Sequence, residues 1–410
     1  MNYKKLILLL VILTGLFLAS CEDWINETPL REDIIQDEKL VDASDLPLLI
    51  TGVKGNFAST LERIVMFGDL LGDQFVYGKD IIKDATYQQF DELEAGDILL
   101  DNNSVDGLAD NLGELWKHAT LLENRINNII KDATDDEKNA ALFVAKFYEA
   151  VAYELNAGYV GLAENQGGAC IDVGPFIPSS ELYTMAVDTY KEALAYASDA
   201  DAKVINSLIA RCELYNGNYS AAKSAAANGM VDGDAAFTAQ YSISADNYIW
   251  QQGSSQLRCQ NYVDGRFADY IAQDPNEANR ISIEETPDAL LVTDDTTTTY
   301  YLQTKYFTAD APIAFMTWQE NNLILAELAV RGEGGDAVAL VNAVRTSHGI
   351  ADLASVDQAV VIEERDKELF LTGNRLIDQR RFDGLWHLGA DAWHYLPIVQ
   401  RERNNNPNID

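Results

Sequence analysis

The sequence predicts a mainly α-helical fold, an α/α superhelix of irregular hairpins with a loop-rich insertion and a few short strands. Three observations carry that prediction. Apolar residues recur at helical spacing along most of the chain after residue 45. Helix–turn–helix segments carry small residues at their corners. The helical spacing lapses in two stretches, near 69–107 and 232–312.

The chain opens with Lys4 and Lys5, followed by an apolar run from Leu6 to Leu18. That run is short of the roughly 20 residues a membrane-spanning helix needs, so it reads as a secretory signal. Leu18-Ala19-Ser20-Cys21 resembles the lipobox of bacterial lipoproteins, in which the cysteine is acylated and becomes the new first residue. The alternative is an ordinary signal peptide with a cysteine nearby. Residues 1–20 are thus read as the leader, 21–45 as an acidic tether, and 46–410 as a single helical domain.

Charge narrows the partners. The 410 residues hold 30 Lys and Arg against 65 Asp and Glu, a net charge of −35, which becomes −37 when Lys4 and Lys5 leave with the leader. Phosphate binding needs a basic face, so nucleic acid is excluded as a partner. An anionic membrane surface would repel this body, so attachment must come from lipid on Cys21; each buried CH₂ contributes about 0.8 kcal/mol. Beyond Cys21 only Cys170, Cys212 and Cys259 remain. Three cysteines do not build a disulfide framework; one pair is possible, and spacing does not choose it.

Along the body, Leu112, Leu115, Trp116, Ala119, Leu122, Ile126, Ile129 and Ile130 mark a first helix over 112–130. Thr134-Asp-Asp-Glu137 is a capping box that opens a second, with Ala141, Ala145, Tyr148, Ala152 and Leu155 on its stripe. Pro178 with Ser179 and Ser180 opens a third. "LIARCELYNGNYSAAKSAAANG", 208–229, reproduces the G-x-Y-x-x-A corner of tetratricopeptide-type hairpins, and 323–345 is a looser copy. No strict period links them, so the hairpins are degenerate, and an irregular bundle is the bland alternative. Ser355-Val-Asp-Gln358 reads as another capping box, opening a helix to Leu371 with Gly373 beyond its end.

Chemistry finds little footing. The histidines (118, 348, 387 and 394) are scattered, with no H-E-x-x-H and no paired-cysteine spacing, so no metal or cofactor is expected. Asp101 to Gly107 fails as a calcium loop because Val105 takes a ligand position. A glycosidase needs only two carboxylates, and 65 acids leave that option open without supporting it.

The C-terminal stretch "IEERDKELFLTGNRLIDQRRF", 362–382, carries Glu364-Arg365, Glu368-Leu369, Gly373-Asn374-Arg375, Asp378 and Arg380-Arg381. This closely resembles the ER-x-x-EL-x-x-x-G-x-R-x-x-D-x-RR pattern of SusD/RagB proteins. "HYLPI" with Asn406-Pro407, "VNAVRTSHGI" and "PIAFMTWQENNLILAELAV" are similar to further segments of that family, in order. Alternating arginines and carboxylates at 364, 365, 368, 375, 378, 380 and 381 suit a structural ion-pair cluster rather than an active site.

The resemblance implies a surface-exposed outer-membrane lipoprotein, not an enzyme. It would bind a nutrient, usually an oligosaccharide, and deliver it to a SusC-like TonB-dependent barrel. A glycoside hydrolase and a surface adhesin are the alternatives. By region rather than by motif, the resemblance suggests ligand contacts at Asp73, Gln74, Tyr77, Trp250, Arg258, Tyr300 and Tyr301. Rings would stack on sugar C–H faces while polar groups satisfy hydroxyls. Each aromatic could equally be packing. The chain is shorter than many family members, which keeps small sugars and peptides open.

Overall fold

A computed structural model describes residues 39–292 and 298–409. The leader, Cys21 and the tether up to residue 38 lie outside the described residues. The rest of the expected tether is already fastened: Arg125 donates to the Leu40 carbonyl at 2.7 Å and the Ala43 N–H reaches Asp132 at 3.0 Å.

In chain order the elements are α1 (Leu46–Leu71), β1 (Phe75–Tyr77), α2 (Gln88–Ala95), α3 (Asn103–Asn128) and α4 (Asp135–Tyr159). Then come β2 (Val160–Ala163), β3 (Gln166–Cys170), β4 (Phe176–Pro178), α5 (Ser179–Ala193), α6 (Asp199–Tyr215) and α7 (Tyr219–Ala226). The irregular region supplies β5 (Phe237–Ala239), α8 (Tyr248–Gly253), β6 (Asn261–Val263), α9 (Arg266–Gln273), β7 (Ile283–Glu285), β8 (Tyr301–Gln303) and β9 (Ile313–Met316). The chain closes with α10 (Trp318–Leu328), α11 (Ala337–Ser347), α12 (Gln358–Glu368), α13 (Asn374–Arg381), β10 (Leu396–Pro397) and α14 (Gln400–Asn405).

Successive helices from α3 to α7 pack on one another as hairpins, α10 pairs with α11, and α1 runs against α3 and α4. Local chemistry sets the ends. Asn102 caps α3 by accepting the Ser104 and Val105 N–H groups, and Thr134 and Glu137 form the expected box at the start of α4. At the 208–229 corner, Gly217 takes φ 79°, and Ala222 and Ala226 are buried against Ile324 and Leu328 of α10. Small side chains on α7 therefore let the two expected repeats dock on each other.

Three boundaries differ from expectation. The helix expected over 112–130 is α3, Asn103–Asn128, so it starts inside the stretch read as irregular. Asp357, not Ser355, caps α12, accepting the Val360 N–H at 3.0 Å. The helix stops at Glu368, and Gly373 precedes α13 instead of ending α12. Its φ of 82° turns its N–H onto the buried Asp69 carboxylate at 3.1 Å. The helix pattern ran on because Leu369, Phe370 and Leu371 are apolar; they are buried as a turn between α12 and α13.

One hydrophobic core runs from Leu46 to Val399. Phe57 sits at its centre, with ring centroids 5.1 Å from Tyr148 of α4 and 5.3 Å from Phe315 of β9. The two irregular stretches meet in one sheet ordered β1-β6-β8-β7, in which Val76 of the first pairs with Tyr262 of the second. A second sheet, β10-β2-β3-β4, brings the C-terminus back beside α4. Cys170, Cys212 and Cys259 are all free and buried, so the possible pair does not form.

Candidate functional site

The β1-β6-β8-β7 sheet has one face in the core. Phe75, Asn261 and Val263 are buried, and the Asn261 amide lies 3.5 Å from the Met66 sulfur of α1. Alternation then turns Tyr262 outward, where it packs beside Ile81 and Leu290 on a small cluster of Ile82, Cys259 and Leu302. Tyr300, just before β8, sets its ring edge-on to Tyr262 at 5.0 Å.

A strap formed by residues 84–87 is held over this surface by Gln260, whose side chain is wholly buried. Its Oε1 accepts the Thr86 and Tyr87 N–H groups at 2.9 and 3.2 Å, and its Nε2 donates to the Asp84 carbonyl at 2.5 Å. Arg258 lies across the strap, its guanidinium 4.6 Å from the centre of the Tyr87 ring. It donates to Thr86 Oγ1 at 2.6 Å and to the Tyr87 hydroxyl at 3.1 Å, yet remains exposed. Leu257 and Val292 are half-exposed in the two segments that border this surface, 50% and 51% accessible.

The result is an open face of rings, hydroxyls and one oriented guanidinium. Burial pushes the Tyr262 hydroxyl up to about 12, so it stays a neutral donor at physiological pH. Beneath it Glu94 accepts the Tyr77 N–H at 3.2 Å, and burial raises its carboxyl above the usual range. Such a face offers stacking and hydrogen bonding to a polyhydroxylated ligand.

The structure divides the seven expected contacts. Arg258 and Tyr300 lie on this face. Tyr301, the next residue, points to the opposite side of its strand and lines a cleft of 460 Å³ with Ile271, Ile281 and Ile283. Trp250 is half-buried on the short α8. The other three are engaged in the body. Tyr77 is buried against Phe90 at 6.4 Å. Gln74 is fully buried and donates to Asp366 at 3.3 Å. Asp73, at φ 64°, binds Arg375 at 3.1 Å, Arg266 at 2.6 Å and Gln379 at 2.6 Å. Its acid serves Arg375 and Gln379 of α13 and Arg266 of α9, partners that could not be seen from its own neighbourhood. Sequence reasoning missed Tyr87, Gln260 and Tyr262; the last two lie within the expected irregular stretch 232–312, but a three-residue strand is too short to show alternation.

The arginine–carboxylate cluster joins the ends of several helices. Arg365 grips Asp378 through two bonds at 2.7 and 3.0 Å, and Arg381 grips Glu327 of α10 at 2.9 and 3.0 Å. Glu364 takes Arg280 at 2.8 Å and Arg345 at 2.5 Å, while Glu368 meets Arg280 at 3.5 Å. Arg380 donates to the His394 carbonyl at 2.6 Å and to that of Gly158.

Near α8, the buried Glu62 accepts the Tyr248 N–H at 3.0 Å, and burial raises its carboxyl from the usual 4.5 to about 7. A raised carboxyl favours the folded state while protonated. Its contribution is therefore full below about 4.5, where both states are protonated, and is lost as the pH rises toward 7. Glu62→Gln keeps the acceptor without the charge. Its stability relative to wild type in urea titrations should grow by about 2.5 kcal/mol between pH 5 and pH 8. A constant difference would show that Glu62 titrates normally.

Among the described residues no group of three or more His, Cys, Asp or Glu side chains is arranged to hold a metal, and no helix is long and apolar enough to cross a membrane. No family model matches the sequence, and no curated protein matches it. Solved structures do. A laminarin-binding SusD-like protein superposes with a TM-score of 0.72 at 15% identity, over 90% of this chain and 98% of that one. A SusD-superfamily protein from Bacteroides vulgatus gives 0.71 at 13% identity, with the same coverage of each chain. Surface glycan-binding protein A from Bacteroides uniformis gives 0.69 at 13% identity, again over 90% and 98%.

Proposed function

We propose that this chain, which has the SusD-superfamily fold, is a surface-exposed lipoprotein that binds a carbohydrate and passes it to a SusC-like TonB-dependent barrel. The single observation that carries the binding role is the open face of Tyr87, Arg258, Tyr262 and Tyr300. Rings held edge-on to one another expose flat apolar surface for sugar C–H groups, and the strapped guanidinium and phenolic hydroxyls are donors for hydroxyl oxygens. Because Gln260 fixes the strap and the strap orients Arg258 before any ligand arrives, little ordering of that guanidinium is left to oppose binding.

The reading is one of capture, not hydrolysis. Arg258 and phenolic hydroxyls, that of Tyr262 raised further by burial, supply neither a nucleophile nor an effective general acid near neutrality. Names of glycan-binding proteins among structures of the same fold support the ligand class. Lipid on Cys21, with the acidic segment after it, would hold the body at the membrane while leaving its faces free.

Calorimetric titration with a panel of glucan, xylan and mannan oligosaccharides tests the binding role. At least one should bind, and Arg258→Ala should weaken it about tenfold, equivalent to 1.4 kcal/mol. Failure of every oligosaccharide, with the fold intact, would remove the carbohydrate reading. Co-purification of a barrel from outer membranes tests the delivery step separately.

A further inference from the structure

A different kind of cavity lies on the far side of α3, between that helix and the β10-β2-β3 edge of the second sheet. It measures 340 Å³, within the range of about 300–1,000 Å³ typical of small-molecule sites. Its floor is apolar: Leu108, Leu112, Val160, Ala169, Leu396 and Ile398. Trp116 forms part of the wall, its Nε1 fixed to the Tyr153 hydroxyl at 3.1 Å. Gly113 forms another part. A glycine inside a helix costs about 1 kcal/mol relative to alanine, and here a Cβ would meet nothing within 4 Å. The bare backbone keeps the wall open.

The charged side chains that line the cleft are mostly acidic. Asp110, Glu114, Asp172 and Glu402 line it against a single Lys117. The nearby Arg401 is committed to Asp106 at 3.1 Å and Asp110 at 2.5 Å. Glu402 is only half-exposed, and its carboxylate accepts no hydrogen bond from the described residues. Burial raises it above the usual range although Arg401 and Arg403 are close. A desolvated carboxylate beside an apolar floor is stabilised by a cation that brings its own apolar group.

We propose that this cleft is a second binding site, specific for a small hydrophobic ammonium ion. The apolar group fills the floor and the ammonium sits at Glu402 under the acidic rim. Nothing in this assignment depends on the carbohydrate face.

The test is calorimetric titration of the full chain with 2-phenylethylammonium, using 2-phenylethanol as the uncharged probe of the same shape. One saturable site is expected, with the alcohol at least about fivefold weaker. Gly113→Leu fills the cleft and Glu402→Gln removes its charge; each should weaken the ammonium about tenfold. Val173→Trp obstructs the mouth from an exposed position and serves if Gly113→Leu does not fold. Tyr262→Ala should leave this affinity unchanged. The assignment is overturned by no saturable binding, by equal binding of the alcohol, or by wild-type affinity in the folded Glu402→Gln and obstructed variants.

Discussion

Arg365→Ala is expected to lower the unfolding free energy by about 3–5 kcal/mol in urea titrations at neutral pH. Arg365 is fully buried, and its two bonds to Asp378 tie α12 to α13. Removing it leaves the buried Asp378 with Arg381 as its one cationic partner among the described residues. Burial by itself raises the Asp378 carboxyl, but Arg365 and Arg381 outweigh it and hold the group below its usual 3.8. A depressed carboxyl stabilises the fold above its ordinary pKa, and that contribution fades as pH falls through the folded-state value. The penalty for Arg365→Ala should accordingly shrink in acid. Arg365→Leu combined with Asp378→Leu should recover most of the loss, because the cost comes from the stranded charge. A loss below 1 kcal/mol for the single variant would mean that the cluster contributes no more than a surface pair.

Phe57→Ala should cost a similar amount, about 3–5 kcal/mol. Its ring is 1% exposed and meets Tyr148, Phe237 and Phe315, so α1, α4, β5 and β9 all lose a shared partner. The side chains around the hole are rings fixed by their own neighbours, such as Phe147 against Phe237 at 5.0 Å, and cannot collapse into it. Phe57→Leu, which refills most of the volume, should cost about 1.5 kcal/mol or less. Equal losses for the two variants would show that the position is not rigidly packed.

How much was legible in the sequence depends on range. Helices announced themselves through local signals: the Thr134 box and the Asn216-Gly217-Asn218 corner both act within a few residues, whereas the Asn102 cap lay unread inside a stretch that reads as irregular. The arginine-rich C-terminus was visible as a pattern, but its partners were not. Asp73 and Arg375 are 302 positions apart, and Glu327 and Arg381 are 54 apart. Asp73 and Gln74 are polar residues in an irregular stretch, which suits a binding loop as well as a buried brace; only the fold distinguishes them. The same limit explains Tyr300 and Tyr301. Adjacent tyrosines in a strand must point to opposite sides, yet which one faces outward depends on pairing with β6. Gln260 was invisible because its role exists only once residues 84–87 cross above it.

The central claim is that the outer side of the β1-β6-β8-β7 sheet is where a sugar is held. The most direct measurement compares oligosaccharide affinity by calorimetry in Tyr262→Ala/Tyr300→Ala and in Tyr301→Ala. The account predicts at least a tenfold loss, about 1.4 kcal/mol, for the first and less than a twofold change for the second. A loss in Tyr301→Ala that matches or exceeds that of the double variant would contradict it and move the ligand to the opposite face.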